Sequence, residues 1–246
     1  KTKKLCNSFS ITFYERGEEP KKIAKSIIIA VSWKWIIKTN NELIILHDSI
    51  LPKYRGFNPL VTALINGDEI IGVTALYGNA EYDKGEIIKQ EQRKITYPIT
   101  IFQAIKLIEN DYIKLAKFLK KSLNPNSMPK SKSQNDRIAS YSLWRDDDDY
   151  SVNWNESSNK IKRFIDAVGY PYKKASSYIS DQKVRIVSAK VLPDVTIENR
   201  VPGKIIFIKS GSPVVVCGEG LLLIEKIENE KGESILPLTR FRLRFK

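Results

Sequence analysis

The chain has 246 residues, 42% of them apolar and 28% charged, a balance that fits a globular protein of one or two domains and excludes a disordered polyelectrolyte. Its net charge of +13 points to an anionic partner (nucleic acid, a phosphorylated small molecule or a membrane surface) or, because the 41 Lys and Arg are scattered, to general solubility. Cys6 and Cys217 lie far apart with no ligand-type spacing, so a reducing, cytoplasmic setting is expected and no metal site. The longest apolar run, 26–33, is too short to span a bilayer and runs into Lys34, and no signal peptide is expected at the start. A first residue of Lys1 rather than Met predicts a processed or incomplete N-terminus.

Residues 9–14 alternate and carry aromatics, as a strand would. Residues 18–25 are charged and predict a short helix. The β-branched run 26–32 predicts a strand covered on both faces, and "ELIILH", 42–47, a second one. A helix over 57–66, strands over 69–76 and 85–95, and a long amphipathic helix over 100–123 follow. Strands alternating with helices argue for a mostly parallel α/β sheet. The composition then turns to Pro, Ser, Asn and Lys, marking 126–136 as a linker between a first unit, 1–125, and a second, 137–246. In the second unit Ser157 or Ser158 caps a helix that stops at Gly169. Short strands at "VRIVSAKVL", "GKIIFI", "PVVVCG", "GLLLIEKIE" and "TRFRLRF" then predict a small barrel or sandwich. There are no internal repeats.

His47 is the single histidine and stands at the end of a predicted strand, where open α/β sheets place their ligands. Asp83 falls between two later strands. Loops after parallel strands converge, so the two are expected to meet across one cleft as a poised acid–base pair. A lone histidine in a loop is more often structural or solvated, and an Asp before Lys-Gly is usually a turn residue.

The stretches "LHDSILPKYRG", "INGDEIIGVT" and "DKG" stand in the order and spacing of the signature of the formyltetrahydrofolate-dependent formyltransferases, and the chain resembles that family over about 26–88. "SLWRDDDDYSVNWNESSNKIKRFIDAVGYPYKKA" and "VVVCGEGLLLIE" resemble the C-terminal domain of methionyl-tRNA formyltransferase and its relatives. The resemblance implies an abbreviated Rossmann-like core followed by a β-rich, barrel-like second domain. It also implies transfer of a formyl group from N10-formyltetrahydrofolate to an amine, with His47 as proton acceptor and oxyanion partner. Asp83 would orient His47 and relay a proton through water. Trp33, Trp35 and Ile36 fall where relatives line the pterin pocket.

Two departures stand out. The family carries Asn two residues before the histidine; here that residue is Ile45, which cannot donate a hydrogen bond, so Asn40, Asn41 or a backbone N–H must serve if the chain is active. Only 46 residues precede His47, so the early strands are expected to be shortened or missing. Asp48 and Asn58-Pro59 resemble sugar N-formyltransferases, which implies a nucleotide-linked 4-amino-4,6-dideoxy sugar, with dTDP as the expected nucleotide, as acceptor, serving surface polysaccharide synthesis in a homodimer. Lys53, Arg55 and Asn58 would bind it, with no nucleic-acid or membrane partner. Methionyl-tRNA formyl transfer is the alternative, favoured by the charge. A third reading is a degenerate, non-catalytic binding fold.

Overall fold

The structure, a computed structural model, describes residues 2–15, 18, 26–33, 35–123, 127–238 and 240–246. It opens with helix α1 (Thr2–Ser8), which buries no side chain. The strand expected over 9–14 does not form: residues 9–10 turn out of the helix, and 11–14 pair with no strand among the described residues. The helix expected over 18–25 lies, Glu18 aside, outside the described residues.

The first sheet has the order β1-β2-β4-β5, from β1 (Ile27–Val31), β2 (Glu42–His47), β4 (Ile70–Tyr77) and β5 (Ile87–Lys94). β1 and β2 run parallel, while β4 and β5 are added antiparallel. The pleat sorts the residues of β2. Ile44 and Leu46 face the main core with Val73 and Ala75 of β4. Ile45 and His47 face the other side, where Ile45 packs against Leu51, Leu76 and Ile87. β1 is an edge strand, and Ile29 and Val31 remain exposed. A strand covered on both faces was expected there; the described residues cover only one.

Helices α2 (Pro59–Asn66) and α3 (Ile101–Ser122) lie over the Ile44 face. α3 begins at a capping box of Thr100 and Gln103 and buries Ile101, Ala104, Ile108, Leu115 and Leu119 at helical spacing. The Arg93 guanidinium donates twice to the buried Asp111 carboxylate, which ties β5 to α3.

The segment predicted as a linker is held firmly from 127 onward. Lys132 pairs with Ile87 as a bridge, and the Tyr77 hydroxyl donates to the Pro129 carbonyl. It leads into β6 (Tyr141–Ser142), which runs parallel to the short β3 (Arg55–Gly56). Ser157 then caps α4 (Ser158–Ala167), as expected. The second sheet is antiparallel, in the order β7-β8-β11-β10-β9. Its strands are β7 (Ala175–Ile179), β8 (Gln182–Leu192), β9 (Ile205–Lys209), β10 (Ser212–Val216) and β11 (Leu221–Asn229). β7 was not foreseen. "TRFRLRF" makes no ladder; instead Arg244 bridges Lys204 near one edge and Phe245 bridges Ile179 at the other. The tail therefore ties the two edges together, which is the barrel-like closure. One apolar core runs through both sheets' helices, and Arg163 of α4 donates to the Ile65 carbonyl of α2.

Candidate functional site

His47 and Asp83 meet. Nδ1 of His47 lies 3.5 Å from Oδ2 of Asp83, and the two residues are 7% and 8% exposed. The expected cause is corrected. β4 is antiparallel to β2, with Tyr77 opposite Ile44, so the loop bearing Asp83 starts at the far end of β2 from His47. It reaches the histidine by folding back over the sheet.

The motif residues show how. After His47 the chain turns through 48–54. The Thr74 hydroxyl donates to the Ser49 carbonyl and accepts from the Leu51 N–H, and Ser49 Oγ donates to the Lys53 carbonyl. This folded loop brings the Tyr54 carbonyl to 2.8 Å from Nε2 of His47. A carbonyl only accepts, so Nε2 carries a proton. The exchangeable position is then Nδ1, which faces Asp83. Asp83 Oδ2 also accepts the Gly56 N–H at 2.8 Å, and its backbone sits at φ 54°, a left-handed conformation that Asp tolerates better than most residues. Two glycines make the approach possible. A Cβ at Gly85 would stand 1.7 Å from the Tyr77 carbonyl oxygen, and one at Gly56, where φ is +97°, would stand 2.7 Å from that of Ser142.

Sequence reading missed Gln134. Its Nε2 donates to the carbonyls of Asp83 and Gly85, and its Oε1 accepts from Arg55. It sits in a stretch whose composition looks like a tether, so nothing marked it. Asn41 is spent on the Ser26 N–H and, with Asn40, lies at the opposite end of β2 from His47. Six residues of extended chain, ~20 Å, separate them. Neither can stand in for the motif's asparagine.

The residues expected to hold a sugar diphosphate are otherwise engaged. Arg55 is 1% exposed and is satisfied by Gln134, Asp136 and Tyr141. Lys53 pairs with Asp68 at 2.7 Å and lies over the Tyr54 ring. Asn58 is a left-handed residue before α2, with its amide toward the Leu143 carbonyl. Asp48 accepts the Tyr112 hydroxyl. Burial raises the Asp48 carboxyl above its ordinary range, against the lowering effects of Tyr112 and His47, and burial also raises the Tyr112 hydroxyl.

Beside Asp83 opens a cleft of about 450 Å³, lined among others by Ile36, Gly56, Phe57, Tyr82, Tyr141 and Trp144. Ile36 alone of the three expected pterin-contacting residues lines it. Trp33 and Trp35 stand on the same loop, 54% and 62% exposed.

Residues 24–120 match the model of the formyl transferase family, and 146–241 match its C-terminal domain. The chain belongs to the formyl transferase family. It is 34% identical over 201 residues to methionyl-tRNA formyltransferase of Thermodesulfovibrio yellowstonii, covering 80% of this chain and 61% of that protein. It is 29% identical over 215 residues to the Clostridium tetani protein of the same name, covering 85% of this chain and 68% of that one. The chain thus spans about three fifths of the length of the first of these relatives. In structure it resembles an N-formyltransferase from Helicobacter canadensis solved with folinic acid and dTDP-3-aminofucose, with TM-score 0.69, 19% identity, and coverage of 90% of this chain and 80% of that one.

The expectation of a nucleotide-sugar acceptor, with no nucleic acid, is therefore corrected. The sequence relatives carry the name methionyl-tRNA formyltransferase, while the sugar-linked protein is close in fold alone. The physical reason is plain in the structure. Asp48 and Asn58, taken as marks of the sugar enzymes, bind partners inside this chain and say nothing about an acceptor. Among the described residues, no helix is long and apolar enough to cross a membrane.

Proposed function

We propose that this chain carries the formyl-transfer site of a methionyl-tRNA formyltransferase, moving the formyl group of N10-formyltetrahydrofolate to the amino group of methionyl-tRNA. The His47–Asp83 pair carries this reading, because it sets one exchangeable proton between two buried groups beside a cleft. The donor supplies the formyl carbon. Trp33, Trp35 and Ile36 offer it flat apolar surface on the β1 side. Nδ1 of His47 and the Asp83 carboxylate receive the proton that the attacking amine sheds, and the Tyr54 carbonyl and Gly56 N–H fix their orientation. In this reading residues 1–125 hold the chemistry, 126–136 join the halves and 137–246 support the acceptor. The free thiols Cys6 and Cys217 suit a reducing cytoplasm.

The test is incubation of the chain with N10-formyltetrahydrofolate and methionyl-tRNA, followed by release and quantification of formylmethionine. Formylmethionine that disappears with His47→Ala supports the reading. Its absence with the unsubstituted chain refutes it.

A further inference from the structure

The cleft beside Asp83 has one wall unlike the rest. Phe57 and Tyr82 lean together with ring centroids 5.3 Å apart at 55°. Tyr141 and Trp144 face the same space while remaining 57% and 62% exposed. A single exposed aromatic residue is ordinary; four around one cavity next to an acid–base pair call for an occupant with a flat face. The wall is coupled to the chemistry through the backbone. Gly56 lines the cleft and gives its N–H to Asp83, and the next N–H, of Phe57, goes to the Ser142 carbonyl beside Tyr141. The charged groups at the rim pair with one another: Lys84 binds Glu81, and Arg55 binds Asp136. Such a surface offers rings and few free hydrogen-bonding groups, which suits stacking more than reading of a base edge.

Resting on the formyl-transfer reading above, we propose that this aromatic wall stacks the base of the terminal nucleoside that bears the aminoacyl ester. The ribose then lies at Gly56, and the ester carries the amine the short remaining way to His47 and Asp83. The volume of about 450 Å³ is in the range of small-molecule sites and takes a nucleoside. The donor's pterin is left to Trp33 and Trp35, with Ile36 at the border it shares with the cleft, so two flat ligands approach one proton-transfer pair from adjoining sides. The net charge of +13 suits the polyanion behind the terminal nucleoside.

Trp144→Ala and Tyr82→Ala test this, since the two side chains are 62% and 43% exposed and neither belongs to the buried core. The probes are the amide analogue 3′-methionylamino-3′-deoxyadenosine and 5-formyltetrahydrofolate, each titrated by calorimetry. The expected result is a loss of affinity for the nucleoside of about 5- to 150-fold in each variant, the usual scale of base–aromatic stacking, with folate affinity within twofold of the parent. Loss of folate affinity instead assigns the wall to the donor and overturns the proposal, as does unchanged nucleoside affinity. The two readings fail separately. A chain that binds the nucleoside through Trp144 yet never formylates methionyl-tRNA sinks the function and keeps the subsite. One that formylates with an unchanged KM for tRNA in Trp144→Ala does the reverse.

Discussion

Gln134 and Asp83, 51 positions apart in the chain, are joined by a 2.7 Å hydrogen bond from the Gln134 amide to the Asp83 carbonyl. The same amide reaches Gly85, and the same side chain holds Arg55. Gln134 thereby fixes the loop that folds back over the sheet. Gln134→Leu removes these bonds with little change of size. It is expected to lower kcat by about 10–10², the cost of a small displacement of a reacting group, and stability by about 1–3 kcal/mol. Steady-state kinetics beside a urea titration check both; an unchanged kcat in a destabilised variant would reduce Gln134 to a purely structural brace.

His47→Ala and Asp83→Ala are each expected to cut turnover by about 10²–10⁴ with the fold retained. The double variant should lose little more than the worse single one, because one proton position serves both residues. Multiplied losses in the double variant would show that the two act independently.

Ile45 shares its face of the sheet with His47 and is packed among Leu51, Leu76 and Ile87. An amide introduced there finds apolar neighbours. Ile45→Asn is expected to cost about 1–3 kcal/mol of stability and to leave kcat within tenfold of the parent. A rise of 10²–10³ at saturating substrates would instead mean that the motif's missing donor had been restored.

Asp48 gives a pH signature. Its folded-state pKa is raised, chiefly by burial, so between the unfolded value near ~4 and the folded value the native chain keeps a proton that the unfolded chain has lost. The native state then binds more protons, and stability falls as pH rises through that window. Asp48→Asn keeps the shape and removes the titration. Thermal melts from acid to neutral pH should show the parent losing ground to the variant as pH rises. Parallel curves would contradict the assignment.

Legibility in the sequence tracked periodicity. α2, α3 and α4 were readable because one face of each is apolar at the helical repeat, and β2 and β4 because they are short, nearly continuous apolar runs. Residues 9–14 and "TRFRLRF" alternate as well, but no neighbouring strand offers them a ladder, and alternation alone does not supply one. The His47–Asp83 pairing was foreseen for the wrong reason, since sheet direction is set by partners far along the chain. The acceptor was misread because Asp48 and Asn58 were taken as marks of the sugar enzymes. Asp48 turns to Tyr112, and Asn58 turns to the Leu143 carbonyl. Gln134 lay beyond reach, because its importance comes from three partners 49 or more residues away.

The β3–β6 pairing limits how this chain can be cut and recombined. Arg55 and Gly56 take their strand partner from Tyr141 and Ser142, past the stretch where composition suggests a seam. A chimera joined at 126 would graft a foreign clasp onto the Asp83 loop, whereas one joined after Trp144 would carry Gln134, Ser140 and Ser142 along with the site they brace. The transferable unit of this candidate site is therefore longer than its sheet, and a second half exchanged at the apparent seam would leave the brace behind.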